Sequence, residues 1–199
     1  YGVRLVEHTD GLIEVLGAGP AAPRFVKSDN GVYREVAGGK ERLVRDPDGS
    51  FQLFVDDEHV WKFDASLTPI AVQDSQNHSV SLRYEDDRLV QISDQADQFL
   101  AFEYDEDTVK TVTDSLGRTV QYEYDDEQNL VSVTGPEGKQ ISYVYDQEHR
   151  LIRVGKDGAV VRKIAYRDDG LVQSIEGHES VTLDYAINTI GLGVRSIKS

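Results

Sequence analysis

The sequence contains no cysteine and no methionine among its 199 residues. The lack of cysteine excludes disulfides, thiolate metal sites and cysteine nucleophiles, but it does not identify the compartment. No apolar run approaches the roughly 18 to 20 residues of a membrane-spanning helix, so membrane insertion is not expected. The first residues, YGVRLVEHTD, lack a basic segment followed by an apolar stretch. Because the chain starts at Tyr1 without methionine, we expect it to be part of a longer polypeptide.

Basic side chains are also scarce. Lysine and arginine total 21 against 36 aspartate and glutamate, which gives a formal charge of -15. This charge repels phosphate backbones and anionic lipids, so nucleic acid is not expected as a partner. A hydrophobic content of 39% is nevertheless sufficient for a core. The 10 tyrosines, against 6 phenylalanines and 1 tryptophan, suit strand surfaces that are apolar along the ring and polar at the hydroxyl.

A repeat of about twenty residues is marked by an aromatic residue at the end of a predicted strand. Successive copies are 21, 20, 20, 21, 21 and 19 residues apart. An apolar or aromatic residue stands two positions earlier in every copy, and the residue between them is polar in most copies. This alternation is typical of a strand with one packed face and one solvated face. The aromatic column consists of Phe63, Tyr84, Tyr104, Tyr124, Tyr145, Tyr166 and Tyr185.

Each aromatic is followed by a polar segment and then by a second apolar stretch, as in YEYDDEQNLVSV. These connections predict hairpin loops of three to five residues built around type I turns, longer than a two-residue turn. A second turn leads into the next copy, where Gly117, Gly138 and Gly158 can adopt positive φ. No apolar stripe with helical spacing is present. The prediction is an all-β fold of tandem β-hairpin repeats whose tyrosine columns form the core rather than an exposed platform for carbohydrate stacking.

The segment YEYDDEQNLVSVTGPEGKQISYVYDQEHRLIRV resembles the YD-repeat, or Rhs (rearrangement hot spot), family. The resemblance covers residues 61–185 and includes the Gly-Arg pair of the second turn at Gly117 and Arg118. The family's tyrosine-aspartate pair is present at Tyr104-Asp105, Tyr124-Asp125 and Tyr145-Asp146. It is replaced in the outer copies by Tyr84-Glu85, Tyr166-Arg167 and Tyr185-Ala186.

The resemblance implies that the hairpins form a curved, spiralling antiparallel sheet, as part of a shell. Such a shell encloses a C-terminal polypeptide, often a toxin, in a large secreted or cell-surface bacterial protein. The expected function is therefore a structural scaffold and not an enzyme, and the expected partner is the remainder of the same polypeptide. The alternative is a module that binds a cell-surface carbohydrate or a protein receptor.

The resemblance also suggests a division of the chain. Residues 1–60 would be an N-terminal β-hairpin lead-in of the shell, and residues 61–199 would be the YD-repeat sheet. Self-cleavage, which some members of the family perform at an Asp-Pro motif, is not expected here. The one Asp-Pro pair, Asp46-Pro47, lies in an early turn, DPDG, which is a tight turn rather than a calcium loop.

No catalytic, cofactor-binding or metal-binding residue is predicted. The five histidines are far apart and lack the spacing of known metal motifs, and the single GAG at residues 17–19 is not followed by an amphipathic helix. Paired carboxylates lie at turns, where solvation and turn formation explain them better than a glycosidase acid and base. The histidines are His8, His59, His78, His149 and His178. The carboxylate pairs are Asp86-Asp87, Asp125-Asp126 and Asp168-Asp169.

The acidic residues that follow each tyrosine allow two interpretations. They can protect sheet edges and turns against pairing with other chains. They can also line an acidic lumen that would favour a basic cargo.

Overall fold

The computed structural model describes residues 3–17, 22–28, 32–55 and 58–177, together with the backbone of residues 181–188 and 191–198. Every regular element in these ranges is a β-strand, so the all-β prediction is confirmed. None of the described residues belongs to a helix that could cross a membrane. The chain divides into two compact units, an N-terminal unit of Tyr1–Ala101 and a C-terminal unit of Phe102–Ser199. These units differ from the predicted division into a lead-in of residues 1–60 and a repeat region of residues 61–199, which stays a prediction.

The N-terminal unit contains ten complete strands and the beginning of an eleventh. They are β1 (Arg4–Glu7), β2 (Ile13–Leu16), β3 (Arg24–Lys27), β4 (Tyr33–Glu35), β5 (Arg42–Arg45), β6 (Phe51–Phe54), β7 (His59–Phe63), β8 (Pro69–Asp74), β9 (Ser79–Glu85), β10 (Arg88–Asp94) and β11 (Phe99–Asp105). Each of these strands pairs antiparallel with the next one along the chain. Consecutive hairpins therefore build the sheet, as the turn spacing predicts.

The C-terminal unit continues the same pattern. Its strands are β12 (Thr108–Asp114), β13 (Thr119–Tyr124), β14 (Leu130–Thr134), β15 (Gln140–Tyr145), β16 (Leu151–Lys156), β17 (Ala159–Tyr166), β18 (Val172–Glu176), β19 (Val181–Asn188) and β20 (Gly191–Lys198). From β12 onward, each strand pairs antiparallel with its successor.

The buried core lies in the N-terminal unit, on one face of strands β1 to β7. Cross-strand register places Leu5 opposite Val15 and Phe51 opposite Phe63, so that apolar side chains meet on that face. Trp61 packs against this cluster as a partly buried neighbour. The ten core residues are Val3, Leu5, Ile13, Val15, Phe25, Tyr33, Leu43, Phe51, Leu53 and Phe63. The core is therefore centred on the predicted lead-in and not on the tyrosine repeats.

The tyrosine columns are half-buried. Tyr122 and Tyr124 alternate with exposed polar residues on β13, and Tyr143 and Tyr145 occupy corresponding positions on β15. Among the described residues after Phe63, no apolar side chain is fully buried. The prediction that these tyrosines share one packed face is thus correct in register. The prediction that they form the core is wrong, because these side chains are half-buried and the buried cluster of the described residues lies between Val3 and Phe63.

A β-bulge recurs next to the aromatic column. On β14, Leu130 pairs with Tyr124 and Ser132 pairs with Glu123, so Val131 is an extra residue between them. Register shifts at the same place occur in the β7–β8, β9–β10, β15–β16 and β17–β18 hairpins. The extra residue bends the strand and increases its local twist. It also explains why two apolar residues stand side by side in the second strand, which strict alternation would not allow.

Candidate functional site: the tyrosine-aspartate turns

Most hairpins close through a four-residue turn of uniform geometry. In the turn that follows β13, the N–H of Asp125 donates to the carbonyl oxygen of Asn129 at 3.0 Å, and the N–H of Gln128 donates to that of Asp125 at 3.0 Å. Gln128 has a φ of 63°, in the left-handed region. This is a type I turn followed by a left-handed residue, in agreement with the predicted loops of three to five residues.

An aspartate side chain caps these turns. One carboxylate oxygen of Asp125 accepts the N–H groups of Glu127 at 3.0 Å and Asn129 at 2.8 Å. The Asn129 amide donates to the other oxygen at 3.0 Å. The same pair of backbone hydrogen bonds is made by Asp64, Asp74, Asp94, Asp114 and Asp146. The aspartate of the pairs at Tyr124-Asp125 and Tyr145-Asp146 therefore has a structural role, because it holds the turn that reverses the chain.

Capping and glycine substitute for each other in these turns. The fourth position has positive φ in every one, which costs an ordinary L-residue about 1 kcal/mol or more. Each described four-residue turn that lacks the double cap has glycine at that position: Gly11, Gly38, Gly49, Gly138 and Gly170. The capped turns have Leu67, Asn77, Asp97, Gly117, Gln128 and His149 there. Every non-glycine residue at that position is thus accompanied by an aspartate cap.

These interactions perturb the caps. A side-chain hydrogen bond from Asn129 lowers the pKa of Asp125, one from Arg118 lowers the pKa of Asp114, and one from His78 lowers the pKa of Asp74. Desolvation acts to raise the pKa of Asp146, but hydrogen bonds from Arg150 outweigh it and the pKa is lowered. All four caps therefore favour the ionised carboxylate in the folded chain.

Tyrosine hydroxyls connect successive hairpins. The hydroxyl of Tyr145 donates to the carbonyl oxygen of Leu130 at 3.0 Å. The hydroxyl of Tyr166 makes the equivalent bond to Leu151, also at 3.0 Å. The ladder between β14 and β15 ends at the pair of Ser132 and its partner on β15, before it reaches Leu130. The tyrosine therefore satisfies a carbonyl group beyond the end of the ladder.

Side chains of the turns in neighbouring copies also contact each other. Nδ1 of His149 lies 2.9 Å from Oδ1 of Asn129, twenty residues earlier in the chain. The Arg150 guanidinium lies over the Tyr166 ring, 4.8 Å from its centroid. Desolvation, with the nearby charges of Tyr143 and Asp125, raises the pKa of Tyr145. The turns of neighbouring copies are thus in direct contact.

Two connections that follow the aromatic column are shorter than the sequence predicts. Only two residues separate the strands at Asp86-Asp87 and at Glu106-Asp107. Asp86 and Asp87 both have positive φ, as a type I′ hairpin turn requires. The prediction of longer loops is wrong at these positions. It assigned the left-handed conformation to glycine, but aspartate can also adopt it. Beside the short turn after β11 lies an open cleft of about 540 Å³, lined by residues of 105–110 and 122–128.

The histidines and carboxylate pairs singled out in the sequence do not converge. His8 contacts Glu14 at 3.2 Å and His78 contacts Asp74 at 2.9 Å, whereas His178 lies outside the described residues. No group of three or more potential metal ligands occurs in the part of the chain that the structure describes. The carboxylate pairs all lie in hairpin turns, and Asp46 to Gly49 forms the expected tight turn.

Comparison with known proteins agrees with this architecture. Residues 104–140 and 124–160 match the family model described as RHS Repeat. Residues 104–160 of the chain are RHS repeats. The tyrosine-aspartate turns that begin at Asp125 and Asp146 lie within these residues, and no curated protein sequence matches the chain.

The chain also resembles solved structures. The crystal structure of TcdB2-TccC3 without its hypervariable C-terminal region matches 100% of this chain and 14% of that chain, with 13% identity and a TM-score of 0.54. A second TcdB2-TccC3 crystal structure covers 84% of this chain and 13% of that one, at 13% identity and a TM-score of 0.45. The Photorhabdus luminescens Tc holotoxin pore covers 88% and 13%, at 13% identity and a TM-score of 0.44. The chain thus spans about one seventh of the structures that it resembles, and the first of these likenesses shows the fold.

Proposed function

We propose that this chain is a non-enzymatic scaffold, a segment of an RHS-repeat wall that encloses another part of its own polypeptide. The family match and the likeness to TcdB2-TccC3 over the whole chain support this function. The enclosed part would be a toxin-like C-terminal region, and the parent would be a secreted or surface-exposed toxin complex. The observation that carries the proposal is the incompletely covered tyrosine face of the C-terminal unit.

This face is apolar across several strands. Register places Tyr122 opposite Val133 and Tyr143 opposite Val154. The opposite face of the same strands carries polar or charged pairs such as that of Glu123 with Ser132. Burial of apolar surface is worth about 25 cal/mol per Å², so a half-covered face of this kind gains stability when another polypeptide covers it.

Cysteine labelling can locate the covered face, because the chain has no cysteine of its own. Ile141 and Val144 lie on the same strand and point to opposite faces, and they are 38% and 39% exposed. Ile141→Cys reports on the tyrosine face and Val144→Cys is its matched control. In the isolated chain we expect both thiols to react with maleimide at similar rates.

In the full-length parent polypeptide, the thiol of Ile141→Cys should react at least about tenfold more slowly, whereas Val144→Cys should keep its rate. Equal reactivity of Ile141→Cys in the parent and in the isolated chain would overturn the proposal. Protection of Val144→Cys instead would show that the enclosed side is the other face, and the proposal would fail in the same way.

Binding of a cell-surface carbohydrate or a protein receptor is the second candidate function. The half-exposed tyrosine rings favour it, because such rings can stack on sugars. Under this alternative, the tyrosine face stays reactive in the parent polypeptide, and a glycan ligand protects Ile141→Cys from the reagent.

A further inference from the structure

The face of the N-terminal sheet opposite its core has a charge that contrasts with the rest of the chain. Residues that alternate with the buried ones on β1 to β7 point to this side, which we call the basic face. Its charged side chains are Arg4, Glu14, Arg24, Arg34, Arg42 and Lys62. The strand residues of this face thus carry five positive charges and one negative charge, in a chain whose formal charge is -15. The carboxylate of Asp46, directly after β5, adds a second negative charge where it accepts a hydrogen bond from Gln52 at 2.7 Å.

Two of these arginines face each other. Tyr33 pairs with Leu43 in an antiparallel ladder, which places Arg34 and Arg42 opposite each other on the basic face. Like charges directly opposite on neighbouring strands destabilise a sheet. Neither guanidinium forms an ion pair with any of the described residues.

The repeats contain a comparable pair that is compensated. Arg153 lies opposite Lys163, and Lys163 lies opposite Glu176 on its other side. On the basic face, the corresponding neighbour of Arg34 is Val26, and that of Arg42 is Phe54. Neither arginine of this pair therefore has a carboxylate opposite it on its other side. Stability of the isolated sheet does not account for the arrangement.

Apolar groups lie between the charges of the basic face. Val26 is 47% exposed and Val44 is 38% exposed. The Arg42 guanidinium lies 4.3 Å from the centroid of the Phe54 ring, a cation–π contact that holds its position. Exposed valines beside these arginines form a surface that can bury aliphatic side chains and bind carboxylates together.

We propose that the basic face docks an acidic protein surface, with carboxylates on Arg34 and Arg42 and aliphatic groups on Val26 and Val44. Charge complementarity selects an acidic partner. A protein fits better than nucleic acid or an anionic membrane, because the total charge of the chain repels extended polyanions and because the valines require an apolar counterpart. The proposed contact is separate from the tyrosine face, so it does not depend on the proposed scaffold function.

The test uses the complete chain and a short fluorescein-labelled peptide that alternates glutamate with valine and threonine. Fluorescence anisotropy at low ionic strength should show binding that weakens as salt is added. Arg34→Glu combined with Arg42→Glu should weaken binding by about tenfold or more. Val26→Ser combined with Val44→Ser should weaken it by about threefold or more. Arg153→Glu combined with Lys163→Glu is the matched control and should leave affinity within about twofold.

Folding is monitored by the emission of Trp61, which packs against the core on the opposite side of the sheet. The charge-reversed variant could misfold, so Arg34→Gln serves as a second variant. It removes the repulsion between the two arginines, so its Tm should be unchanged or higher, and it should still weaken peptide binding. Absence of peptide binding, or equal loss in the control, overturns the proposal. Tighter binding to a DNA duplex or to phosphatidylserine vesicles than to the peptide also overturns it.

Discussion

Replacement of Phe63 and of Tyr124 by alanine compares two copies of one repeat position. Both residues occupy the aromatic column, but Phe63 is 0% exposed within the N-terminal core and Tyr124 is half-buried in the C-terminal unit. Truncation of a fully buried aromatic side chain costs about 3 to 5 kcal/mol, since it removes apolar contacts and leaves a cavity. For Tyr124→Ala we expect about half of that, near 2 kcal/mol, because solvent already reaches one side of the ring.

Urea unfolding measures the difference. With a denaturant dependence of about 2 kcal/mol per molar urea, Phe63→Ala should lower the midpoint by about 2 M and Tyr124→Ala by about 1 M. Trp61 emission reports on the N-terminal core, and far-ultraviolet circular dichroism reports on all strands. Tyr124→Phe is the control. It should unfold like the unsubstituted chain, because the Tyr124 hydroxyl has no hydrogen bond within the described residues.

Equal losses for the two alanine variants, or a larger loss for Tyr124→Ala, would refute the assignment of the core to residues 3–63. Such a result would mean that the tyrosine columns are packed as deeply as the lead-in. A change in the denaturant dependence itself would instead indicate that the two units unfold separately.

Three further outcomes follow from the turns and hydroxyls. Tyr145→Phe removes the hydrogen bond to Leu130 and should cost about 0.5 to 1.5 kcal/mol by urea unfolding, and no loss would contradict its role between hairpins. Asp125→Ala should lower the urea midpoint, and Gln128→Gly should restore it to near the original value, whereas an unrestored double variant would contradict the exchange of cap and glycine. The caps have lowered pKa values, so their stabilisation is present above the unfolded aspartate pKa of about 3.9 and is lost as pH falls through the folded values. Tm should therefore decline below about pH 4, and a Tm that stays constant from pH 5 to pH 2 would contradict this.

The sequence predicted the strands because alternation and a fixed period are local properties of the chain. It also predicted the turns at Gly117 and Gly138, since glycine signals positive φ directly. It did not predict positive φ at Gln128 or His149, because neither residue type favours that conformation by itself. The available signal was an aspartate three residues earlier, which supplies the cap. The bulge also had a local signal, the adjacent apolar pair that follows each turn.

The position of the core could not be predicted in the same way. Phe63 and Tyr124 occupy the same position of the repeat and are both aromatic. The periodicity therefore predicts the same degree of burial for both. Burial depends on which surfaces cover a strand, and the pattern within one strand does not contain that information. For the same reason, the opposed Arg34 and Arg42 become visible only when register places them on neighbouring strands.

The pair of Tyr145 and Asp146 combines two separable roles in adjacent residues. Asp146 stabilises the turn of its own hairpin, and the Tyr145 hydroxyl donates to a carbonyl oxygen of the preceding hairpin. The copy at Tyr166 separates them: Arg167 replaces the aspartate and Gly170 takes the left-handed position, yet the hydroxyl still bonds Leu151. Loss of the aspartate is therefore tolerated wherever glycine removes the strain. No change within the same turn can replace the tyrosine, because the carbonyl group that it bonds lies in another hairpin. The tyrosine therefore matters for the contact between copies, and the aspartate matters for the turn.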